Sequence, residues 1–236
     1  MPAGRVAAED VKLIPHRWDM HAIQALAQRD AALLARIFTE KGVLVLPEGA
    51  IDCQVQSFGY GAPMQFHSYG FFDVRSKGHS SVLFDLVLPG DTLVLIALRH
   101  HDPMSVIALY QAGASLDVAN SAKEQPIEVI FSRFAILQLH DRHQRLTEKE
   151  IKYQPSSGVQ KLLEQEAAYR QLFGLLHERL MGYHSALKHT IQDELHHIYS
   201  THAPERLSKL PKQMEDFEYR ERELLASVRR KYLESE

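Results

Sequence analysis

The stretch Gly90–Val129, GDTLVLIALRHHDPMSVIALYQAGASLDVANSAKEQPIEV, decides how the chain is read. Gly90-Asp91-Thr92 opens it as a turn, and an apolar segment follows as far as Ala97. His100-His101-Asp102-Pro103 interrupts that segment, and proline suits the first turn of a new helix. The second helix carries Val106, Ile107, Leu109 and Tyr110. It stops at Ala112-Gly113-Ala114, where Gly113 can adopt the left-handed backbone that ends helices. Gln125-Pro126-Ile127-Glu128-Val129 then falls 33 residues after Thr92-Leu93-Val94-Leu95-Ile96, so the pattern begins again.

Turn, short helix, turn, longer helix and a Gly-Ala end at this spacing resemble an ankyrin repeat. Gly90, Thr92, Ala97, Leu109, Gly113 and Ala114 carry the resemblance, and Pro126 supplies the proline of the next unit. Leu93 stands where the family has proline and Leu95 where it has histidine. The helical segment around Ala25, Asp30 and Gly42 resembles a degenerate earlier unit, with Gln28-Arg29-Asp30 as a break between two short helices. Such units bury their apolar faces only against neighbours, which implies a stack, a binding surface and no built-in chemistry.

Residues 43–88 do not fit the period. They hold five glycines and six aromatic residues between Gly49 and Gly78, and VLVLP and SVLFDLVLP within them read as short strands or buried extended segments. This Gly/aromatic insertion, GYGAPMQFHSYGFF above all, is the one place where a pocket could hide. Pro155-Ser156-Ser157-Gly158 reads as a turn, and a helical pattern then runs from Val159 to about Ser200. Its stripe includes Leu162, Tyr169, Phe173, Leu176, Leu180, Tyr183, Leu187, Ile191, Leu195 and Ile198, mostly in heptad order. A shorter helix near Pro211 carries Phe217, Leu224, Leu225, Val228 and Tyr232 on one side.

The expected fold is therefore mainly α. Residues 1–146 form a short ankyrin-like repeat region with the insertion at 43–88, residues 147–158 a linker, and residues 159–236 a long helical extension. The extension resembles a helical tail of proteins from flagellated and other protists. Ile198, Tyr199, Pro204, Glu205, Glu221, Glu223, Leu224, Leu225, Lys231 and Tyr232 match it, as does Phe217 or Tyr219, while Ala203 and Tyr219-Arg220 depart from it. That resemblance implies an assembly component and no enzyme class.

Composition narrows the function classes further. A chain of 236 residues with 45% apolar and 24% charged residues is long enough for a sizeable core. A net charge of −3 gives no global field for nucleic acid or an anionic membrane. The extension itself is balanced, with 14 Lys/Arg against 15 Asp/Glu over residues 147–236. Cys53 is the only cysteine, no apolar run reaches membrane-spanning length, and the N-terminus has no signal-like segment, so a cytoplasmic setting is expected. The 14 histidines cluster as His100-His101, His140 with His143, and His196-His197, without a third ligand at metal spacing. His177-Glu178 does not continue into His-Glu-x-x-His, and no phosphate-binding or nucleophile-elbow motif occurs. Asp91 and Asp102 read as helix caps.

The expected function is thus a non-catalytic interaction or scaffold subunit of a larger assembly, with cytoskeletal, flagellar or tubulin-associated partners, no metal and no cofactor. The alternatives are a soluble adaptor binding a peptide in the repeat concavity, and an enzyme using the insertion. Candidate protein-binding residues are Tyr110, His100 and His101 in the repeat and Leu224, Val228 and Tyr232 on the tail stripe.

Overall fold

Two helix–turn–helix hairpins share one set of local devices. α1 (Trp18–Gln28) and α2 (Ala31–Thr39) form the first, and α3 (Leu93–Arg99) and α4 (Pro103–Gln111) the second. Asp30 caps α2 by accepting the Leu33 N–H, and Asp102 caps α4 by accepting the Ser105 N–H. The residue before each aspartate has left-handed backbone: Arg29 at φ 55° and His101 at φ 51°. The amides of Arg29 and Asp30 donate to the carbonyls of Leu26 and Ala25, and those of His101 and Asp102 donate to Leu98 and Ala97. This is a Schellman closure repeated at an offset of 72 residues. Pro103 begins α4 as the sequence expects, and Gly113 ends it at φ 102°.

The computed structural model describes residues 18–40, 46, 49–57, 64–66, 71–72, 87–88, 90–146 and 157–234, with backbone alone at 18–20, 55–57, 64–66, 71–72, 143–146 and 157–158. The fold is mainly helical. Its described residues fall into two compact units, those within 1–129 and 160–174 and those within 130–159 and 175–236.

In the first unit α2 packs against α4. Leu33, Leu34 and Ile37 of α2 are buried, as are Val106 and Leu109 of α4. Ala25 and Ala97 have no exposed surface. Leu93, Val94, Leu95, Ile96, Ala97 and Leu98 are all buried, so α3 is covered on every side. Each large apolar side chain so placed contributes about 1.5–3 kcal/mol before its lost entropy is counted. Residues Ala50–Asp52 form a 3₁₀ turn, and Gln54 makes an antiparallel bridge with Thr92. Asp52 also accepts the Ser115 N–H at 2.7 Å, and the Gln54 amide donates to the Ala119 carbonyl at 2.8 Å.

The insertion holds a small antiparallel sheet in the order β1 (Val55–Ser57), β2 (Met64–Phe66), β3 (Phe71–Phe72). Val55 pairs with Phe66 and Met64 with Phe72. Runs of two or three residues between glycines and prolines are too short to show a strand period, which is why GYGAPMQFHSYGFF reads as irregular. The strands expected at VLVLP and SVLFDLVLP lie mostly outside the described residues, as do residues 147–156 of the expected linker.

Three expectations need correction beyond this point. The unit beginning at Gln125 does not turn back; α5 runs unbroken over Pro126–Leu146, because no glycine or later proline interrupts it. The long helix from Val159 is three helices: α6 (Ser157–Leu163), α7 (Glu166–Leu175) and α8 (His177–His202). Ser157 and Gly158 belong to α6 rather than to a turn. The break at Leu176, φ −103° and ψ 10°, follows Gly174, a weak helix former, at the point where the chain leaves the first unit for the second.

The third correction concerns the tail. A 3₁₀ segment (Pro204–Lys209), α9 (Leu210–Asp216) and α10 (Glu221–Tyr232) fold back on α8. Ile191, Leu195, Ile198 and Tyr199 of α8 form one core cluster with Leu210, Met214, Leu224, Leu225 and Val228. Leu224 and Val228 are therefore internal to the second unit and do not form a docking stripe. Their apolar spacing reports burial, and α8 supplies it.

Two outcomes test this packing. Ala97→Glu places a charge and extra volume at a position with no exposed surface, and should lower stability by roughly 3 kcal/mol or more. A melting temperature within a degree of the parent contradicts the burial of Ala97. Leu224→Lys with Val228→Lys should abolish cooperative melting of the second unit, read by loss of protection in α8 and α10; retained protection in both helices contradicts the shared core.

Candidate protein-interaction surface

Residues 115–125 connect α4 to α5, and their conformation hangs on one buried carboxylate. Asp91 has no exposed surface. It accepts the Leu88 N–H at 2.7 Å and the Asn120 side-chain amide at 2.8 Å. The Arg99 guanidinium meets it twice, Nε at 2.6 Å and Nη2 at 3.0 Å. Thr92, not Asp91, caps α3, through the Leu95 N–H. The cap expected of Asp91 is thereby corrected: its side chain leaves the helix end free for Thr92 and neutralises Arg99 one helix length away.

Arg99 extends the network to the loop. Its Nη2 donates to Glu124 Oε2 at 2.5 Å, and Asn120 donates to the same oxygen at 3.0 Å. The Asn120 side-chain oxygen, Oδ1, in turn accepts the N–H groups of Ala122 and Glu124. Asn120 and Glu124 also bond through their backbones, and the Lys123 amide donates to the Asn120 carbonyl. Gly90 completes the support at φ 80°, since a Cβ there would lie 2.6 Å from the Ser121 nitrogen. The hydrogen bond from Arg99 holds the Glu124 carboxyl below its ordinary value, and Asn120 adds to this. The bond to Asp91 raises the Arg99 guanidinium further.

What this frame presents is the loop tip. Ser121, Ala122 and Lys123 are exposed, as are Asp117 and Ala119. Nothing in the sequence singled these residues out. The signal was the triplet Asp91, Arg99 and Asn120, which shares no periodicity and becomes visible only once α3 and the loop lie together.

The candidates named from the sequence are dispersed. His100 and His101 sit half-buried in the α3–α4 turn, and the exposed Arg29 donates to the His100 carbonyl at 2.9 Å, joining the two hairpin turns. Tyr110 is half-buried near the end of α4. Leu224 and Val228 are core residues of the second unit. Tyr232 is half-buried beside them, its ring edge-on to Tyr199 at 6.1 Å and stacked with His202 at 6.2 Å.

The second unit holds one further polar cluster. His184 Nε2 and Glu221 Oε1 lie 2.7 Å apart, both buried. The Tyr219 ring stacks on His184 at 4.7 Å, and Phe131 lies 5.2 Å from it. Tyr219 takes φ 66° to make this contact. Burial, with Glu218 and Glu221 adding, pushes its phenol above the ordinary value. The arrangement clasps the start of α10 to α8. Among the described residues no three His, Cys, Asp or Glu side chains gather where they could hold a metal ion, and no helix is long and apolar enough to cross a membrane.

No family model matches the chain, and no curated protein and no solved structure matches it.

The network sets a pH dependence with a definite sign. Glu124 titrates lower in the folded than in the unfolded chain, so its contribution is complete above the ordinary carboxylate range and is lost as pH falls through and below it. Glu124→Gln should flatten the acid limb of the stability curve, measured by denaturant unfolding between neutral and acid pH. An unchanged limb contradicts the pairing. Asp91→Asn leaves Arg99 short of its buried partner and should cost about 3 kcal/mol; a loss below about 1 kcal/mol in the same assay contradicts the central role of Asp91.

Proposed function

We propose that the chain is a non-catalytic protein–protein interaction subunit of a larger assembly, built on ankyrin-type hairpins. The observation that carries this reading is the loop 115–125. Four side chains, Asp91, Arg99, Asn120 and Glu124, are committed to fixing its backbone, while Ser121, Ala122 and Lys123 at its tip remain in solvent. A loop already held in one conformation loses little entropy when a partner docks, which favours binding over mere connection.

The repeated closure around Ala25-Asp30 and Ala97-Asp102 supports the ankyrin-type part of the reading, as does the packing of α2 on α4. The adaptor alternative, a peptide lying along the inner helices, has less support, because all six residues from Leu93 to Leu98 are buried and leave no open face on α3. The tail motif from Ile198 to Tyr232 supports a cytoskeletal or flagellar setting, with the second unit as a separate helical body in that assembly.

The test is affinity purification of partners by the parent and by the variant Ala122→Arg with Lys123→Glu. Both positions are exposed, so melting should shift by no more than about 0.5 kcal/mol. The reading expects a defined set of co-purifying proteins from the parent, depleted roughly tenfold or more with the variant. The same set at the same yield from both would overturn the loop as the binding element.

A further inference from the structure

We propose that Tyr219, in the turn between α9 and α10, is a phosphorylation site, and that its modification loosens α10 from α8. This goes beyond the interaction reading above and concerns the second unit alone. Among the described tyrosines, Tyr219 alone stands outside a helix. Tyr169 and Tyr199 are fully buried. The hydroxyls of Tyr183 and Tyr199 are engaged, by Arg222 at 3.0 Å and Gln213 at 3.1 Å. The half-buried Tyr219 ring stacks on His184 and lies edge-on to Phe134 at 5.9 Å, yet its hydroxyl bonds no described group.

Sequence and charge give the modifying enzyme its class. Glu215, Asp216 and Glu218 precede Tyr219, and the first two are exposed. An acidic run ahead of a tyrosine in a turn suits a protein kinase whose substrate groove is basic. The γ-phosphoryl group of a nucleoside triphosphate passes to Tyr219 Oη. Its bond to the leaving diphosphate breaks, a new O–P bond forms, and the phenol proton goes to the kinase's base. The product carries a charge of about −2 at neutral pH.

That charge has no ready partner. Burial and the charges of Glu218 and Glu221 already raise the phenol, so a dianion at the same place is disfavoured more strongly. The adjacent arginines are engaged: Arg220 pairs with Glu223 at 2.9 Å and lies over the Phe217 ring, and Arg222 donates to Tyr183. His184 is bonded to Glu221. Like-charge repulsion therefore moves the ring out of its stack. The stack lies against the His184–Glu221 pair that clasps the start of α10, so α10 loosens from its first turn onward.

The test incubates the intact protein with magnesium ATP and a tyrosine kinase catalytic domain that prefers acidic substrates, and maps phosphate by mass spectrometry. Phosphate should appear on Tyr219. Tyr219→Phe keeps the ring and should melt with the parent, but should take no phosphate at this position. The rate for the intact protein should lie within about tenfold of that for a free peptide of residues 213–224, because the turn is presented without unfolding. In the phosphorylated protein, amide exchange in α10 should be at least about tenfold faster, with α3 and α4 unchanged. Absence of phosphate from Tyr219, a rate more than about a hundredfold below that of the peptide, or unchanged exchange in α10 overturns the proposal.

Discussion

A carboxylate with no contact to water, Asp91, governs the geometry of the first unit's exposed parts. Removing it from solvent is costly, and the cost is offset only by complete pairing: two bonds from Arg99, one from Asn120 and one from the Leu88 backbone. Those partners come from three separate places in the chain. Satisfying one buried charge therefore brings the turn before α3, the end of α3 and the loop before α5 into register at once. The loop conformation, the need for glycine at position 90 and the lowered Glu124 carboxyl all follow from that demand.

The second unit solves its closure differently. Its core is apolar, with Ile191, Leu195 and Ile198 of α8 against Leu224 and Val228 of α10. The polar clasp of His184 and Glu221 sits under aromatic rings at one end of it, where Tyr219 accepts an unfavourable backbone to stack. Apolar area supplies stability there, and the buried pair fixes the register in which α10 returns. A hydrogen-bonded pair is specific in a way that leucine contacts are not, because a one-turn slip leaves both groups buried and unpaired.

Local features were legible in the sequence because local chemistry produces them. Pro103 at the start of α4, Gly113 at its end and the Gln28-Arg29-Asp30 break all reappear where short-range rules put them. Non-local features were not. Asp91 looked like a helix cap because an aspartate beside a threonine before an apolar run satisfies the capping rule, and nothing in the linear order says that Arg99 and Asn120 converge on it. The stripe Leu224–Tyr232 supplied binding candidates because periodicity shows that a face is buried and not what buries it; α8, about 30 residues earlier, does so. The unit beginning at Gln125 matched the repeat at its start alone, and the helix ran on for want of a breaker. The candidate surface, the loop tip Ser121, Ala122 and Lys123, was not visible at all, because the side chains that fix it lie far apart in the linear order.

The account stands or falls on whether residues 115–125 are as fixed as the hairpin that carries them. Amide hydrogen exchange of the intact protein measures this directly. The amides of Ser115, Asn120, Ala122, Glu124 and Ile127 all donate to acceptors in the folded unit. If the buried carboxylate holds the loop, these amides should exchange with the protection of α3 and α4, opening only when the unit opens. Exchange at the rate of a fraying terminus, while α3 and α4 stay protected, would contradict it.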